Sequence, residues 1–170
     1  MMEKINQIKS KVYIETSIVS YVSSRLSKDL IVAAQQQITH NWWDSRRNNY
    51  ALFVSELVIE EASRGDKEAA ERRLSLISEI NVLAVNENAV YLAEQFLKNN
   101  CLTHKAESDA LHIAIATVHK VDYLLTWNCR HIANAEIQKK LMKVSQKENY
   151  ELPILCTPNE LMGKNNDDME

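Results

Sequence analysis

The chain has 170 residues, of which 45% are hydrophobic, and a net charge of −3. These values predict one globular domain and exclude a surface that is basic throughout. The two glycines, Gly65 and Gly163, lie far apart, which excludes the glycine-rich loops that bind nucleotide phosphates.

The cysteines and the amino-terminal segment predict a cytoplasmic protein. Cys101, Cys129 and Cys156 show no C-x-x-C spacing, which is typical of free thiols in a reducing compartment. No run of about 18 apolar residues is present, so we expect no membrane span. Met1–Lys11 is polar and lacks the apolar region of a signal peptide.

The first half of the chain alternates short apolar runs with helical patterns. Val12–Ile14 is β-branched and aromatic, which predicts the first strand. Residues 29–48 carry apolar side chains at spacings of three and four, which predicts a helix. Its expected buried stripe consists of Ile31, Ala34, Ile38 and Trp42. Ala51–Val54 predicts a second strand, and Ser55 is placed to cap a helix that ends near Gly65.

The second half continues the alternation. The predicted elements are, in chain order, a helix capped by Asp66, a strand at Val82–Val85, a helix capped by Asn86, a helix at Glu107–His119, a strand at Tyr123–Thr126, a helix over 130–143 and a strand at Pro153–Cys156. Thr157–Glu160 has the spacing of a capping box, which predicts one more helix start. Such alternation predicts an α/β fold with a mainly parallel sheet and helices on both faces.

We expect a single domain over residues 1–163, followed by a flexible acidic tail over 164–170. Polar side chains follow the predicted strands of this domain. Glu15 follows the first strand, Glu61 lies on the helix after the second, Asp109 opens the helix before the fourth and Asn128 follows the fourth. Because ligand sites in such sheets form at the carboxyl ends of the strands, we expect these side chains to meet.

Carboxylate oxygens suit Mg²⁺ or Mn²⁺, which can orient a water molecule and stabilise charge on a phosphate. On the residues alone, an alternative stays open. Acidic side chains are common at helix starts because the helix dipole favours them.

Four segments of the chain resemble PIN domains of the VapC type. They are Val12–Ser17, Ser55–Glu61, Asp109–Ala114 and Leu125–Asn128, in the order of that family. The resemblance runs from about residue 11 to residue 163. It implies a compact three-layer α/β/α sandwich, metal-dependent cleavage of RNA, a toxin with a separate antitoxin protein, and a homodimer.

The resemblance also implies roles for single residues. Glu15, Glu61 and Asp109 match the acids that hold Mg²⁺ or Mn²⁺, and Asn128 matches a fourth catalytic position. Glu15 stands where most members have Asp, and Asn128 is neutral where many have Asp, so we expect one tightly held ion or weak metal binding. The hydroxyl groups that match positioning residues belong to Ser17 and Thr126.

Other residues were weighed one by one. Arg130 closely follows Asn128 and is the best candidate for contacting a phosphate of the substrate. For His112, a packed and hydrogen-bonded position is favoured over contact with substrate, and Trp42–Trp43 is assigned to packing or an interface. The spacing of Cys129 and His131 fits no standard zinc site.

Two further functions were considered. The first is a catalytically weak PIN module that binds RNA or protein, which the departures at Glu15 and Asn128 favour. The second is a phosphoryl-transfer enzyme or a switch like a response regulator. It would require paired acids after the first strand, and Glu15–Ser17 does not supply them.

Overall fold

The first strand, β1 (Lys11–Ile14), lies at the centre of a five-stranded sheet. The computed structural model describes residues 8–163. The other strands are β2 (Ala51–Ser55), β3 (Asn81–Leu83), β4 (Tyr123–Leu125) and β5 (Ile154–Cys156). Every neighbouring pair is parallel, in the order β3-β2-β1-β4-β5.

Helices flank this sheet. They are α1 (Thr16–Ser23), α2 (Leu30–Ser45), α3 (Glu56–Ala62), α4 (Lys67–Ile77), α5 (Glu87–Lys98), α6 (Glu107–Val118) and α7 (Ala135–Lys147), with short 3-10 helices at Arg47–Asn49 and His104–Ala106. The predicted α/β/α architecture with a parallel sheet is confirmed. None of the helices within residues 8–163 is long and apolar enough to cross a membrane. The predicted tail, 164–170, lies outside the described residues, as do residues 1–7.

Helix α1 was not predicted, because its β-branched and polar residues favour helix only weakly. Its amino end is capped by Glu15, whose side chain accepts a hydrogen bond from the Ser17 backbone N–H at 3.1 Å. Helix α7 begins later than predicted because Asn134 caps it. At Thr157 the capping box forms, since Glu160 accepts from its backbone N–H at 2.8 Å, but only turns follow.

Helix α2 buries Trp42 of the predicted stripe but not the amino-terminal part of that stripe. Ile31 is 72% exposed and Ala34 is also exposed, so that part of the prediction is wrong. The face that packs inward carries Gln36, Thr39, Trp42 and Trp43. The two polar members are satisfied: Gln36 bonds backbone atoms of the α1–α2 loop, and Thr39 accepts from the Trp127 indole at 2.7 Å.

The predicted packing of the tryptophan pair is confirmed. Trp42 is fully buried, and its indole N–H donates to the Leu161 carbonyl at 3.1 Å. Trp43 is almost buried, and the guanidinium of Arg47 lies 5.6 Å from the centroid of its ring. Both rings therefore belong to the packing of α2 against the body of the domain.

The core lies on both faces of the sheet. Val12, Tyr13 and Ile14 of β1 are fully buried, as expected for the central strand of a parallel sheet. Helix α6 is buried on nearly every side, including His112, which is typical of a helix inside the core. In register, Ile14 pairs with Leu125 of β4. The residues that follow these two strands therefore meet at one edge, called here the carboxyl edge.

Candidate functional site

Glu15 lies at the centre of the carboxyl edge, directly after β1, and is only 7% exposed. Its Oε2 accepts hydrogen bonds from the Ser17 backbone N–H at 3.1 Å, the Ser17 hydroxyl at 2.5 Å and the Thr126 hydroxyl at 2.7 Å. No hydrogen bond from residues 8–163 reaches its Oε1. The glutamate side chain is long enough to reach the end of β4, where Thr126 lies.

Ser17 and Thr126 lie where the sequence places them, against Glu15. Each hydroxyl donates to that carboxylate and accepts from a backbone N–H of the loop after β4. The Trp127 N–H donates to Ser17 at 2.8 Å, and the Asn128 N–H donates to Thr126 at 2.9 Å. The two hydroxyls thus tie Glu15 to the loop that carries Asn128.

Glu61, on α3, faces Glu15 from the neighbouring side of the edge. Its side chain is 19% exposed, and its hydrogen-bond donors come from α1 and α6. Oε1 accepts from the Ser108 hydroxyl at 2.5 Å. Oε2 accepts from His112 Nε2 at 2.9 Å and from the Thr16 hydroxyl. Thr16 and Ser108 were not singled out from the sequence, although each is adjacent to a predicted acid.

These donors keep Glu61 ionised. Burial, the largest single cause, would by itself raise the pKa of the Glu61 carboxyl, and the hydrogen bond and charge of His112 oppose it. Together with the hydroxyls of Ser108 and Thr16, they lower the pKa from 4.5 to about 2. Glu61 therefore carries a negative charge at any physiological pH.

A buried chain of hydrogen bonds supports Glu61 from behind. His112 Nδ1 lies 2.7 Å from the Tyr13 hydroxyl, which lies 2.7 Å from the Ser55 hydroxyl. The Val58 N–H donates to that Ser55 oxygen at 3.2 Å. The Tyr13 hydroxyl thus bridges Ser55 Oγ and His112 Nδ1, and on the other side of the ring His112 Nε2–H donates to Glu61.

Burial is also the main cause that raises the pKa of Tyr13 well above its ordinary value. The phenol therefore stays protonated and able to donate. The prediction that His112 is packed and hydrogen-bonded is confirmed, since its side chain is 2% exposed. One of its two hydrogen-bond partners, however, is Glu61, which is a predicted site residue. We call the series Ser55, Tyr13, His112 and Glu61 the buried relay.

Among the described residues, ligand atoms from Glu15, Glu61 and His112 lie within 4.8 Å of one another. Two carboxylates at such a distance repel each other, and a divalent cation between them removes the repulsion. Because His112 Nε2 already donates to Glu61, the oxygen atoms of the two glutamates are the groups best placed to hold an ion. This donor chemistry fits a hard cation such as Mg²⁺ or Mn²⁺.

Asp109 lies at the same edge but belongs to a different set of contacts. Its Oδ1 accepts from Asn128 Nδ2 at 2.9 Å, and its Oδ2 accepts from His131 Nδ1 at 2.7 Å. The His131 backbone N–H donates to Asn128 Oδ1 at 3.0 Å, which closes a triangle of three residues. Asp109 is not in the group that lies within 4.8 Å among the described residues.

His131 is the residue that sequence reasoning missed, because it was weighed only as a zinc ligand. Its position shortly after Asn128, in the loop that follows β4, was the available sequence signal. Arg130 is exposed on the same loop, and its expected contact with phosphate stays a prediction. The structure thus gives the edge two parts, a glutamate pair and an Asp109–Asn128–His131 triangle, joined through Thr126.

A family model described as "PIN domain" matches residues 12–136. Two solved structures share the fold. VapBC2 from Rickettsia felis bound to a DNA fragment from their promoter matches with a TM-score of 0.55 and 14% identity, over 86% of this chain and 98% of that chain.

The second structure is VapC20 of Mycobacterium tuberculosis, described as a sarcin-ricin loop cleaving toxin. It matches with a TM-score of 0.52 and 16% identity, over 66% of this chain and 86% of that chain. No functionally curated protein matches the sequence. At these identities the two structures demonstrate a shared fold, and the family model covers most of the strands and helices that build the carboxyl edge.

Proposed function

Because the chain belongs to the PIN domain family, we propose that it is a metal-dependent endoribonuclease that hydrolyses RNA phosphodiester bonds. PIN domains are generally nucleases, and PIN nucleases use divalent metals. Sequence reasoning predicted this family membership, and the family model confirms it. The activity, the metal and the RNA substrate are proposals for this chain.

One observation carries the proposal: Glu15 and Glu61 come from distant parts of the chain and face each other at the carboxyl edge. Their ligand atoms lie within 4.8 Å of each other, and Glu61 is held ionised by its donors. Two carboxylates this close repel each other when both are ionised, and a cation between them removes that repulsion. Such a pair therefore supports a site for Mg²⁺ or Mn²⁺.

When bound, the divalent ion would supply positive charge that polarises a phosphoryl oxygen and lowers the pKa of a water molecule. The residues of the chain prepare this chemistry. Ser17 and Thr126 donate to Oε2 of Glu15, and Oε1 accepts no hydrogen bond from residues 8–163. The buried relay fixes Glu61 in the ionised state, so its carboxylate is ready to hold the ion and to orient the attacking water.

We also propose Asp109 as the third acid and Asn128 as an orienting amide, as the sequence predicts. This role is supported by the position of the Asp109 carboxylate, which lies at the same edge and accepts hydrogen bonds from Asn128 and His131. Asn128 donates to Asp109, and its backbone donates to Thr126, which holds Glu15. The amide therefore couples the position of the third acid to that of the first.

The test is cleavage of single-stranded RNA by the purified protein with Mg²⁺ or Mn²⁺. We expect EDTA to abolish cleavage, and Asp109→Asn and Glu61→Gln each to reduce the rate by at least about a hundredfold. Glu60→Gln is the matched control, because Glu60 is adjacent in sequence but exposed and paired with Arg64 at 2.5 Å. The control should cleave at the wild-type rate.

An unchanged rate in Asp109→Asn would remove Asp109 from the mechanism. A lack of metal-dependent cleavage across RNA substrates would favour the alternative, a PIN module that binds RNA or protein without cutting it. The neutral Asn128 is the residue that keeps this alternative in view.

We further propose that the protein is a toxin with a separate antitoxin partner, acts as a homodimer and is cytoplasmic. The fold shared with VapBC2, which was solved as a complex on promoter DNA, supports the partner. The fold shared with VapC20, a toxin that cleaves the sarcin-ricin loop, supports RNA as the substrate.

A further inference from the structure

A cleft of about 450 Å³ lies beside the Asp109–Asn128–His131 triangle. It runs between the end of α5, the loop that follows α5 and the first half of α7. We call it the α5–α7 cleft, and the residues that define it here are Leu97, Leu102, His104, His131, Ile137 and Lys140. Its volume is in the range of about 300–1,000 Å³ that small-molecule sites occupy.

The floor of the cleft is apolar and its rim is cationic. Leu102 is buried, and Leu97 and Ile137 are half-buried, so they offer a flat hydrocarbon surface. Lys140 is exposed at the rim, and within residues 8–163 its ammonium group makes no ion pair. The charge of Lys140 is felt inside the cleft, at the lining residue Cys101. Burial raises the pKa of the Cys101 thiol, and the charge of Lys140 opposes that rise.

His131 joins the cleft to the candidate active site. It lines the cleft, and its Nδ1 is fixed by Asp109 at 2.7 Å. Its side chain is 29% exposed and that of Asp109 is 21% exposed, so both groups are accessible from outside. A ligand in the cleft therefore contacts a residue that is hydrogen-bonded to the proposed catalytic acid, Asp109.

The charge around the cleft is uneven. A second depression beyond His104 is lined by the acids Glu94 and Glu107 and by Lys98, so charges of both signs lie there. Lys140 is the lysine that lines the α5–α7 cleft itself, so a phosphate is attracted to the α7 side of the cleft. The surface thus fits a ligand with one flat apolar part and one anionic part.

We propose that the α5–α7 cleft binds one unpaired nucleotide of the RNA substrate, next to the phosphodiester that is cut. The base packs on Leu97, Leu102 and Ile137, and a phosphate contacts Lys140. An unpaired nucleotide fits because the bases of a duplex are stacked and unavailable to such a floor. This inference rests on the proposed function, since RNA is the ligand in both.

The test uses Lys140→Gln, with Lys139→Gln as the matched control. Lys139 precedes it on α7, is exposed and does not line the cleft, so both variants lose the same charge. Binding of a fluorescent single-stranded RNA in EDTA, and KM and kcat with metal, are measured for each. We expect Lys140→Gln to weaken binding and raise KM by about five- to tenfold with unchanged kcat, and to lower the salt dependence by about one phosphate contact.

A duplex of the same sequence is the second control, and Lys140→Gln should affect its binding no more than Lys139→Gln does. Equal effects of the two variants on the binding of single-stranded RNA, or no effect of either, would contradict the proposal that the cleft binds a nucleotide. RNA binding that depends on Lys140 without any cleavage would support the cleft and overturn the nuclease. A wild-type protein that neither binds nor cuts RNA would overturn both.

Discussion

Glu15, one of the two glutamates of the pair, has a longer side chain than the aspartate that the family resemblance leads us to expect at this position. Glu15 reaches Thr126 at the end of the adjacent strand and also caps α1 through the Ser17 N–H. The extra methylene group is thus absorbed by contacts on two elements. The departure at this position changes how the carboxylate is held and still places it within 4.8 Å of Glu61.

Glu61 makes the stability of the fold depend on acid. Its folded-state pKa is about 2, below the ordinary 4.5, so its contribution is complete above about pH 4.5 and is lost as the pH falls toward about 2. One pKa unit corresponds to about 1.4 kcal/mol, which gives a contribution on the order of 3 kcal/mol. Glu61→Gln should flatten the pH dependence of the free energy of unfolding in this window.

The measurement is urea denaturation in EDTA between about pH 7 and about pH 2.5. Glu60→Gln, at the exposed neighbour, should keep the wild-type pH dependence. An equal decrease in the free energy of unfolding from neutral to acid pH in both variants would contradict the lowered pKa of Glu61.

The Tyr13 hydroxyl is the middle of the buried relay, with Ser55 on one side and His112 on the other. Tyr13→Phe leaves both neighbours without this partner in the core, which costs about 1–3 kcal/mol. Unfolding in denaturant should show this loss. Tyr91→Phe is the control because Tyr91 is exposed, and its stability should stay near wild type. A loss of the same size in both variants would argue against the relay.

At the scale of elements, the loop between β4 and α7 determines where His131 lies. Asn134 stabilises both ends of this segment. Its Oδ1 caps α7 through the Glu136 and Ile137 N–H groups at 3.1 and 3.2 Å, and its Nδ2 donates to the Arg130 carbonyl at 3.3 Å. One side chain thus starts the helix and holds the turn beside the candidate functional site.

Asn134→Ala should lower the free energy of unfolding by about 1 kcal/mol, because the amino end of α7 loses its cap. It should also reduce RNA cleavage, since the turn that carries His131 is loosened. Asn134→Ser is the matched control, because serine is a good cap, and it should recover most of the stability. Loss of stability in both variants alike would show that the cap is not the relevant contact.

At the scale of the whole molecule, the sequence predicts the sheet well because topology follows from the alternation of strands and helices. Parallel strands bring their carboxyl ends together, so Glu15 and Glu61 were placed at one edge before any coordinates. The hydrogen bond between Asp109 and His131 was not predictable in this way. It depends on the path of the turn after Asn128, and no periodic pattern encodes that path.

Side-chain hydrogen bonds also explain two of the errors in helices. The expected face of α2 was wrong because Gln36 and Thr39 are buried through hydrogen bonds, while hydrophobic periodicity counts only apolar side chains. Helix α1 was missed because its amino end depends on the Glu15 side chain, which the sequence marks as a site residue rather than as a cap. A functional side chain with a second, structural duty is difficult to recognise from pattern alone.

β1 is paired on both sides, and Glu15 follows it directly. The innermost strand of a domain opens only when the whole molecule unfolds, whereas termini and outer loops open far more readily. Local opening of outer segments within residues 8–163 is therefore expected to leave Glu15 in place. The α5–α7 cleft is formed by outer helices and a loop. We therefore expect it to adjust to a bound ligand while Glu15, next to the central strand, keeps its position.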